Sequence, residues 1–298
     1  MSMGLRDVIQ AMRPAQWTKN AIVLAAFFFA LGDRSLEGVT PALGLRGLAA
    51  AFLFCLVSSG VYIVNDIGDL QADRLHPLKR FRPIASGRIP RGFAWVMALV
   101  LFLAGVGGGL FLDPYVGGVL AGYVALQLVY TARLKRVPLV DIMIIAAGFV
   151  LRAITGAFAV NVPISPWLLL CTFLLALFLA LCKRRHEKNL LDDAAEQHRA
   201  VLEKYDPRLM DQLIGIVSAC TILAYSIYTL QPETVLKFGS HNLGLTIPFV
   251  IFGIFRYLDL VYRHGHGGQP EKTLLGDLPL LASIALFGVT VLGVILLA

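Results

Sequence analysis

Residues 62–89, YIVNDIGDLQADRLHPLKRFRPIASGRI, place acidic and then basic side chains directly after a long apolar run. If a helix continued through Asp73, its step of about 100° per residue would bring Asn65, Asp66, Asp69 and Asp73 onto about a quarter of its surface. Carboxylates so close repel one another, and a divalent cation bound by their oxygens would relieve that repulsion. We therefore predict a Mg2+ site here, with Mn2+ as a substitute. The alternative is a solvated helix end that the nearby lysines and arginines neutralise.

The elements that must position these residues have the composition of membrane spans. Of the 298 residues, 57% are hydrophobic and 15% are charged, and the mean hydropathy is +0.74. About 20 apolar residues in a helix cross the hydrocarbon core of a bilayer. Nine runs approach or reach that length: 15–32, 44–64, 92–112, 115–132, 138–160, 165–182, 212–231, 243–262 and 277–297. The sequence predicts an all-α, polytopic membrane protein that forms a single integral membrane domain over residues 1–298.

The lysines and arginines predict how the chain is oriented. With nine spans, the amino terminus and every second connection share one side, and 22 of the 26 lysines and arginines fall there. Basic residues accumulate on the cytoplasmic side, so we expect a multi-pass protein of the cell (inner or plasma) membrane whose site faces the cytoplasm. The net charge of +7 then meets anionic lipid or an anionic substrate. No nucleic acid partner is expected, and homo-oligomerisation is left open.

The acidic residues also carry a resemblance to a known family. Asn65-Asp66-x-x-Asp69-x-x-x-Asp73, at the end of the second predicted span, resembles the NDxxDxxxD signature of the UbiA superfamily of intramembrane prenyltransferases. The resemblance covers nearly the whole chain. It implies a bundle of nine helices around a central cavity that opens at the cytoplasmic face, where magnesium holds a diphosphate. It also implies that the three aspartates are catalytic and that they bind the metal together with Asn65.

The chain departs from that family after the sixth predicted span. Most members carry a second aspartate-rich motif there, whereas this chain has CKRRHEK, with Lys183, Arg184, Arg185, His186 and Glu187. Arginine and lysine bind phosphate directly, through charge-assisted hydrogen bonds. The ligand is therefore expected to carry more negative charge than a prenyl diphosphate. Basic residues that only mark the cytoplasmic end of a span are the alternative interpretation.

Within the superfamily, the chain is similar to the subgroup that makes a lipid-linked arabinofuranose precursor for cell-wall arabinan. That similarity implies a magnesium-dependent pentosyltransferase, which moves the phosphoribosyl group of 5-phosphoribosyl diphosphate to decaprenyl phosphate or another polyprenyl phosphate. Two other functions stay open. One is an aromatic prenyltransferase that uses a prenyl diphosphate, and the other is a transporter of anions.

Two cytoplasmic connections, at about 65–91 and 183–211, are expected to hold the substrates. Besides residues 183–187, the candidate substrate contacts are Lys19, Tyr62, Lys79, Arg80, Arg82, Tyr130, Lys135 and Arg152. Tyr130 and Lys135 are five residues apart, where the family usually has four. Arg152 lies deep in a predicted span, where an arginine is costly unless it has a partner or faces a wet cavity. It is expected either to form a structural ion pair with Asp141 or to contact substrate.

Overall fold

The computed structural model describes residues 4–34, 36, 40–192, 205–268 and 270–297, except the side chains of 190–192, 266 and 271. Its α-helices, in chain order, are α1 Leu5–Met12, α2 Ala25–Leu31, α3 Pro41–Gly68, α4 Leu70–Leu75, α5 Arg91–Leu112, α6 Pro114–Ala132, α7 Val140–Ala159, α8 Pro166–Asp192, α9 Pro207–Leu230, α10 Pro232–Phe238, α11 Ile247–Arg263, α12 Pro270–Gly276 and α13 Leu278–Leu297. Short 3-10 helices connect several of them, at Pro14–Leu24, Lys79–Phe81, Leu134–Arg136, His241–Thr246 and His266–Gly268.

Eight helices of the described chain are long and apolar enough to cross a membrane. They are α3, α5, α6, α7, α8, α9, α11 with the 3-10 turn before it, and α13. The predicted all-α, polytopic membrane protein is confirmed, but the count of nine spanning helices is one too many. The extra one is the run 15–32, which forms the 3-10 helix Pro14–Leu24 followed by the seven-residue α2. Thr18, Lys19 and Asn20 interrupt its apolar sequence, and the uninterrupted remainder is too short for a spanning helix.

The segment 14–27 nevertheless follows α3 along its length, in the opposite direction. Trp17 Nε1 donates to Ser59 Oγ over 3.1 Å near the acidic end of α3. Farther along, a Cβ at Gly47 would lie 3.5 Å from the Leu24 side chain. At about 2 Å of rise per residue, the 3-10 helix alone covers roughly 22 Å, much of the thickness of a hydrocarbon core. The amino-terminal arginines therefore stay at the same end of α3 as the acidic motif.

The chain divides into two compact units. The first comprises Met1–Phe27 with Thr40–Ile164, and the second comprises Phe28–Val39 with Ser165–Ala298. The single domain over residues 1–298 stays a prediction. In the first unit, α3 packs against α5, α6, α7 and the 3-10 helix 14–24. Phe54 and Val57 of α3 are fully buried in that core. In the second unit, α8 packs against α9, and the rings of Phe178 and Tyr257 meet at 5.4 Å.

One close approach in the first unit requires a glycine. The backbone of α7 at Gly156 passes so near the 3-10 helix 14–24 that a Cβ there would overlap the Val23 carbonyl oxygen. Neither partner in that contact is a flexible side chain, so any larger residue at Gly156 would push the two backbones apart. Gly156 thus fixes the distance between α7 and the segment that precedes α3.

Candidate active site

The acidic motif lies where α3 ends and α4 begins. Asp69 separates the two helices, with φ −98° and ψ 10°. The helical hydrogen-bond pattern still passes through it, because the Asp69 N–H donates to the Asn65 carbonyl over 2.9 Å and the Asp73 N–H donates to the Asp69 carbonyl over 2.8 Å. Residues four or seven apart therefore keep a common side. The motif divides into two pairs, Asp66 with Asp73 and Asn65 with Asp69.

The first pair is buried and shares one cation. The side chains of Asp66 and Asp73 are each 4% exposed. Arg82 Nη1 lies 3.1 Å from Asp66 Oδ1 and 2.6 Å from Asp73 Oδ2. Arg13 Nη2 forms a second ion pair with the same Asp66 oxygen. Since a buried charge without a partner is strongly unfavourable, these two arginines offset the cost of burying both side chains.

The second pair meets residues at the end of α6. The Thr131 hydroxyl is hydrogen-bonded to Asn65 Oδ1. Lys135, on the 3-10 helix Leu134–Arg136, forms an ion pair with Asp69 through its Nζ. The Asp69 side chain is 33% exposed, so it is the most accessible carboxylate of the motif. Asp69 is thus placed to meet a ligand from solvent, while its partner lysine comes from another element.

The donor chemistry of this site fits a divalent cation. Carboxylate and amide oxygens are the ligands that Mg2+ prefers in proteins, and Asp66 and Asp73 already share one positively charged group. Across the described ranges, no three His, Cys, Asp or Glu side chains come together as a ready metal site. Asp66 and Asp73 could help to hold an ion there, in competition with the Arg82 guanidinium that they now share.

The connection between α4 and α5 packs against the protein instead of extending from it. Arg74 Nε donates to the Ala85 carbonyl over 3.2 Å. Arg88 donates to Asp7 Oδ1 of α1 over 2.7 Å and to the Phe81 carbonyl over 2.6 Å. These bonds fix the backbone of the segment that carries Arg82.

Three other predicted contacts lie near these arginines. Tyr62 lies under Arg13, whose guanidinium carbon is 5.1 Å from the ring centroid. Lys79 is half-buried and Arg80 is exposed, both on the 3-10 helix that precedes Arg82. The Arg80 guanidinium lies over its neighbouring phenylalanine ring, with its carbon 4.8 Å from the centroid. All three are thus on the same connection or helix end as the acidic motif.

Lys19 and Tyr130 differ in their surroundings. Lys19 is half-buried in the 3-10 helix 14–24. Tyr130 is buried in the last turn of α6. Because α6 ends at Ala132 and a 3-10 helix follows, Tyr130 and Lys135 do not continue on one helix face. Only the lysine of this predicted pair is ion-paired with the acidic motif.

Arg152 is held by uncharged groups inside the first unit. Its Nε donates to Asn20 Oδ1 over 2.7 Å, and its Nη1 donates to the Gly148 carbonyl over 2.7 Å. Its guanidinium carbon lies 4.6 Å from the ring centroid of Phe54 and 5.1 Å from that of Tyr123. These contacts replace the ion pair with Asp141 that the sequence suggested. They favour a structural role, since every contact orients the guanidinium within the core.

The basic cluster at the end of α8 belongs to the second unit. The buried Arg184 forms an ion pair with Glu187 one turn later. Lys183 is half-buried beside them. A Cβ at Gly268 would overlap the ring of His186, so His186 packs closely on the 3-10 turn His266–Gly268. Within the predicted connection 183–211, residues 193–204 lie outside the described residues.

Arg185 has a more open environment than Arg184. Its Nε donates to Asp211 Oδ1 over 2.6 Å, and its guanidinium carbon lies 3.9 Å from the ring centroid of Tyr262. The Tyr262 hydroxyl donates to the same Asp211 oxygen over 2.8 Å. The Asp211 side chain is 43% exposed, so this ion pair borders solvent. Arg185 is therefore oriented by its partners, and its own side chain is 17% exposed.

The comparisons with known proteins identify the family. The profile of the UbiA prenyltransferase family matches residues 21–274. The chain belongs to that family. It is 35% identical to decaprenyl-phosphate phosphoribosyltransferase of Mycobacterium tuberculosis over 288 aligned residues. The alignment covers 95% of this chain and 94% of the relative. The Corynebacterium glutamicum enzyme of the same name is 35% identical over 275 residues, 91% of this chain and 81% of the relative.

Solved structures confirm the predicted UbiA-like fold. A UbiA homolog from Archaeoglobus fulgidus bound to GPP and Mg2+ matches with a TM-score of 0.70 at 18% identity, covering 97% of this chain and 99% of that one. A digeranylgeranylglyceryl phosphate synthase matches with a TM-score of 0.67 at 16% identity, covering 98% of each chain. At these identities the likeness concerns the fold.

In this UbiA family member, sequence reasoning missed two residues that contact the motif, Arg13 and Thr131. Arg13 joins α1 to the 3-10 helix 14–24 with φ 55° and ψ 60°, a conformation that is uncommon for residues other than glycine. Such backbone outliers cluster at functional sites. The sequence signal is weak: an arginine before Pro14, at the expected cytoplasmic end. Thr131 had no signal of its own, because its role depends on how α6 packs against α3.

Proposed function

We propose that this protein transfers the 5-phosphoribosyl group of phosphoribosyl diphosphate to a polyprenyl phosphate, such as decaprenyl phosphate, and releases diphosphate. The observation that carries the proposal is the combination of one acidic motif with the basic end of α8, where most of the family is expected to carry a second acidic motif. Phosphoribosyl diphosphate has a sugar phosphate besides its diphosphate, and the acceptor has a phosphate of its own. A chain that carries more cations than a prenyl diphosphate needs suits that pair of substrates. The similarity to relatives of that name supports the same assignment.

In this proposal the acidic motif holds the metal and the basic residues hold phosphates. Asn65, Asp66, Asp69 and Asp73 would bind Mg2+, which neutralises charge on the departing diphosphate when it is bound. Arg185, oriented by Tyr262 and bordering solvent, is the member of the α8 cluster best suited to a sugar phosphate. Arg184 is less suited, because it is buried and paired with Glu187. The other predicted contacts would position the substrates, except Arg152, whose hydrogen bonds to Asn20 and Gly148 favour a structural role.

The reaction is a displacement at the anomeric carbon of the ribose. An oxygen of the lipid phosphate forms the new bond to that carbon while the bond to the diphosphate oxygen breaks. A phosphate monoester has a second pKa of about 6, so the nucleophile is largely dianionic at neutral pH and requires no dedicated base. Asp69 or Asp73 would stabilise the positive charge that develops on the sugar, and the greater exposure of Asp69 supports that residue. Exclusion of water protects the donor from hydrolysis.

The same proposal includes the cell membrane as location and the cytoplasmic face as the side of the site. The concentration of basic residues at one end of the spans supports that orientation. The product, a phosphoribosyl polyprenyl phosphate, would serve as the precursor of a lipid-linked arabinofuranose and of cell-wall arabinan. The membrane supplies the acceptor lipid laterally, while the donor arrives from solution.

The test uses the purified full-length protein in detergent or nanodiscs. It is incubated with labelled phosphoribosyl diphosphate and a polyprenyl phosphate, with Mg2+, with Mn2+ or with a chelator. We expect an anionic glycolipid that forms with either metal and not in chelator. Transfer of a prenyl group from a prenyl diphosphate to an aromatic acid, without the glycolipid, would refute the proposal. Full activity in chelator would refute its metal component.

A further inference from the structure

Each carboxylate of the acidic motif is paired with a cation from a different part of the chain. Asp69 pairs with Lys135, and Asp73 pairs with Arg82. Asp66 Oδ1 accepts from both Arg82 and Arg13. In this state the three carboxylates and their three cations balance. One oxygen of each carboxylate is therefore engaged by the protein's own basic side chains.

These ion pairs must oppose the binding of a bare metal ion. Arg82 Nη1 is within 3.1 Å of oxygens from both buried carboxylates, so an ion held by Asp66 and Asp73 would compete with it for them. A displaced guanidinium without a new partner would remain near the entering cation and repel it. The two arginines would then lose charge-assisted hydrogen bonds that nothing replaces.

A diphosphate changes this balance. The side chains of Arg13 and Arg82 are 26% and 30% exposed, so both can turn toward a ligand that enters from solvent. The Arg82 N–H donates to the Lys79 carbonyl over 2.9 Å, which keeps its backbone in place while the side chain moves. The guanidinium fork matches phosphate oxygens as well as it matches carboxylates. When metal and diphosphate arrive together, the metal would thus take the carboxylates, and the diphosphate oxygens would replace them as hydrogen-bond acceptors for the two arginines.

We propose that Arg82, assisted by Arg13, is an internal counter-cation that holds the acidic motif closed to bare metal ions and transfers to the diphosphate when metal and diphosphate bind together. The inference rests on the proposed metal site but not on the identity of the donor's sugar or prenyl group. Its consequence is strong positive coupling between metal and diphosphate. Because coupling is reciprocal, each ligand must raise the affinity for the other by the same factor.

The test measures metal binding without catalysis. Free Mn2+ is followed by its electron paramagnetic resonance signal while it is titrated with wild-type protein, Arg82→Gln and the control Arg91→Gln. Arg91 is an exposed arginine at the start of α5, on the same connection. We expect Arg82→Gln to bind bare Mn2+ at least roughly ten- to a hundred-fold more tightly than wild type, because the guanidinium that competes for Asp66 and Asp73 is gone. Arg91→Gln should match wild type.

The second arm replaces bare metal by metal with diphosphate. Retention of radiolabelled inorganic diphosphate is measured at saturating Mn2+ for the same proteins. Here Arg82→Gln should bind roughly ten-fold or more weakly than wild type, since the transferred arginine is missing. The two arms therefore change in opposite directions. A residue that only stabilises the fold would weaken both.

Three results decide the matter. Tighter Mn2+ binding together with weaker diphosphate retention in Arg82→Gln supports the inference. Equal Mn2+ affinity in wild type and Arg82→Gln overturns it while leaving the metal site in place. Failure of both proteins to bind Mn2+ with or without diphosphate overturns the metal site as well. If Arg82→Gln does not fold, Arg13→Gln removes the other cation from Asp66 and must show the same tightening of Mn2+.

Discussion

Substitution of Asp66 and of Asp69 by asparagine should separate activity from stability. If both bind the metal, either change removes a charged ligand and should reduce phosphoribosyl transfer by at least about a hundred-fold, as loss of an electrostatic stabiliser typically does. Their contributions to folding differ. The Asp66 side chain is 4% exposed and accepts from two arginines, whereas the Asp69 side chain is 33% exposed and has a lysine partner.

The structure gives the size of that difference. Each hydrogen bond to a charged group contributes about 1.5–3 kcal/mol, and a neutral amide oxygen can keep one ordinary bond of about 1 kcal/mol. Asp66 accepts from two arginines, so its replacement should lower the free energy of unfolding by about 2–5 kcal/mol. The more exposed pair at Asp69 contributes about 0–1 kcal/mol. Asp69→Asn should leave the protein nearly as stable as wild type.

The assay pairs the midpoint of thermal unfolding, measured without metal, with transfer of labelled phosphoribosyl groups. We expect Asp66→Asn to unfold at a clearly lower temperature than Asp69→Asn, and both to be nearly inactive. Equal stability of the two variants would contradict the burial argument. Near-wild-type transfer by Asp69→Asn would remove that residue from the metal site and from catalysis.

Three further outcomes are expected. Arg185→Ala should raise the donor KM roughly ten- to a hundred-fold, whereas Arg184→Ala should mainly lower the unfolding midpoint. The reason is that, of these two arginines, Arg185 borders solvent and Arg184 is buried. Donor titrations and thermal unfolding of both variants check this. Arg152→Lys should lower the unfolding midpoint without changing the donor KM, because a lysine cannot reproduce the guanidinium's hydrogen bonds. The hydrogen bond from Arg256 holds the pKa of Asp277 below its usual value. Their pairing therefore stabilises the fold fully above the pKa that Asp277 has in the unfolded state, and this stabilisation is lost as pH falls through the lower pKa of the folded state. Acidification should lower the unfolding midpoint of Asp277→Asn less than that of wild type.

The sequence predicted the features that depend on local pattern. The apolar runs located the eight described helices that are long enough to span a membrane. A backbone in lipid must satisfy its own hydrogen bonds, so an apolar run of this length forms a helix. The spacing of Asn65, Asp66, Asp69 and Asp73 anticipated that helical geometry continues to Asp73. The count of spans was wrong at residues 15–32, because hydropathy does not distinguish an α-helix from a 3-10 segment packed on α3.

The features that the sequence could not provide depend on contacts between distant residues. Arg13 is 53 positions from Asp66, and Thr131 is 66 positions from Asn65. Nothing in either local sequence indicates the pairing, which arises when α1 and α6 pack against α3. Arg152 shows the same limit: it shares a helix face with Asp141, yet a buried amide on another segment, Asn20, accepts its hydrogen bond.

The pairing of charges at the motif has a consequence for which ligands can enter. Asp66, Asp69 and Asp73 are balanced by Arg13, Arg82 and Lys135, so the resting site is close to neutral. Charge is expensive at the edge of a low-dielectric membrane, and a bare metal ion or a bare diphosphate would disturb that balance. A metal–diphosphate complex carries less net charge than its separate components and offers both kinds of partner. The proposed site would therefore select the complex as a unit, through basic residues that come from three separate elements.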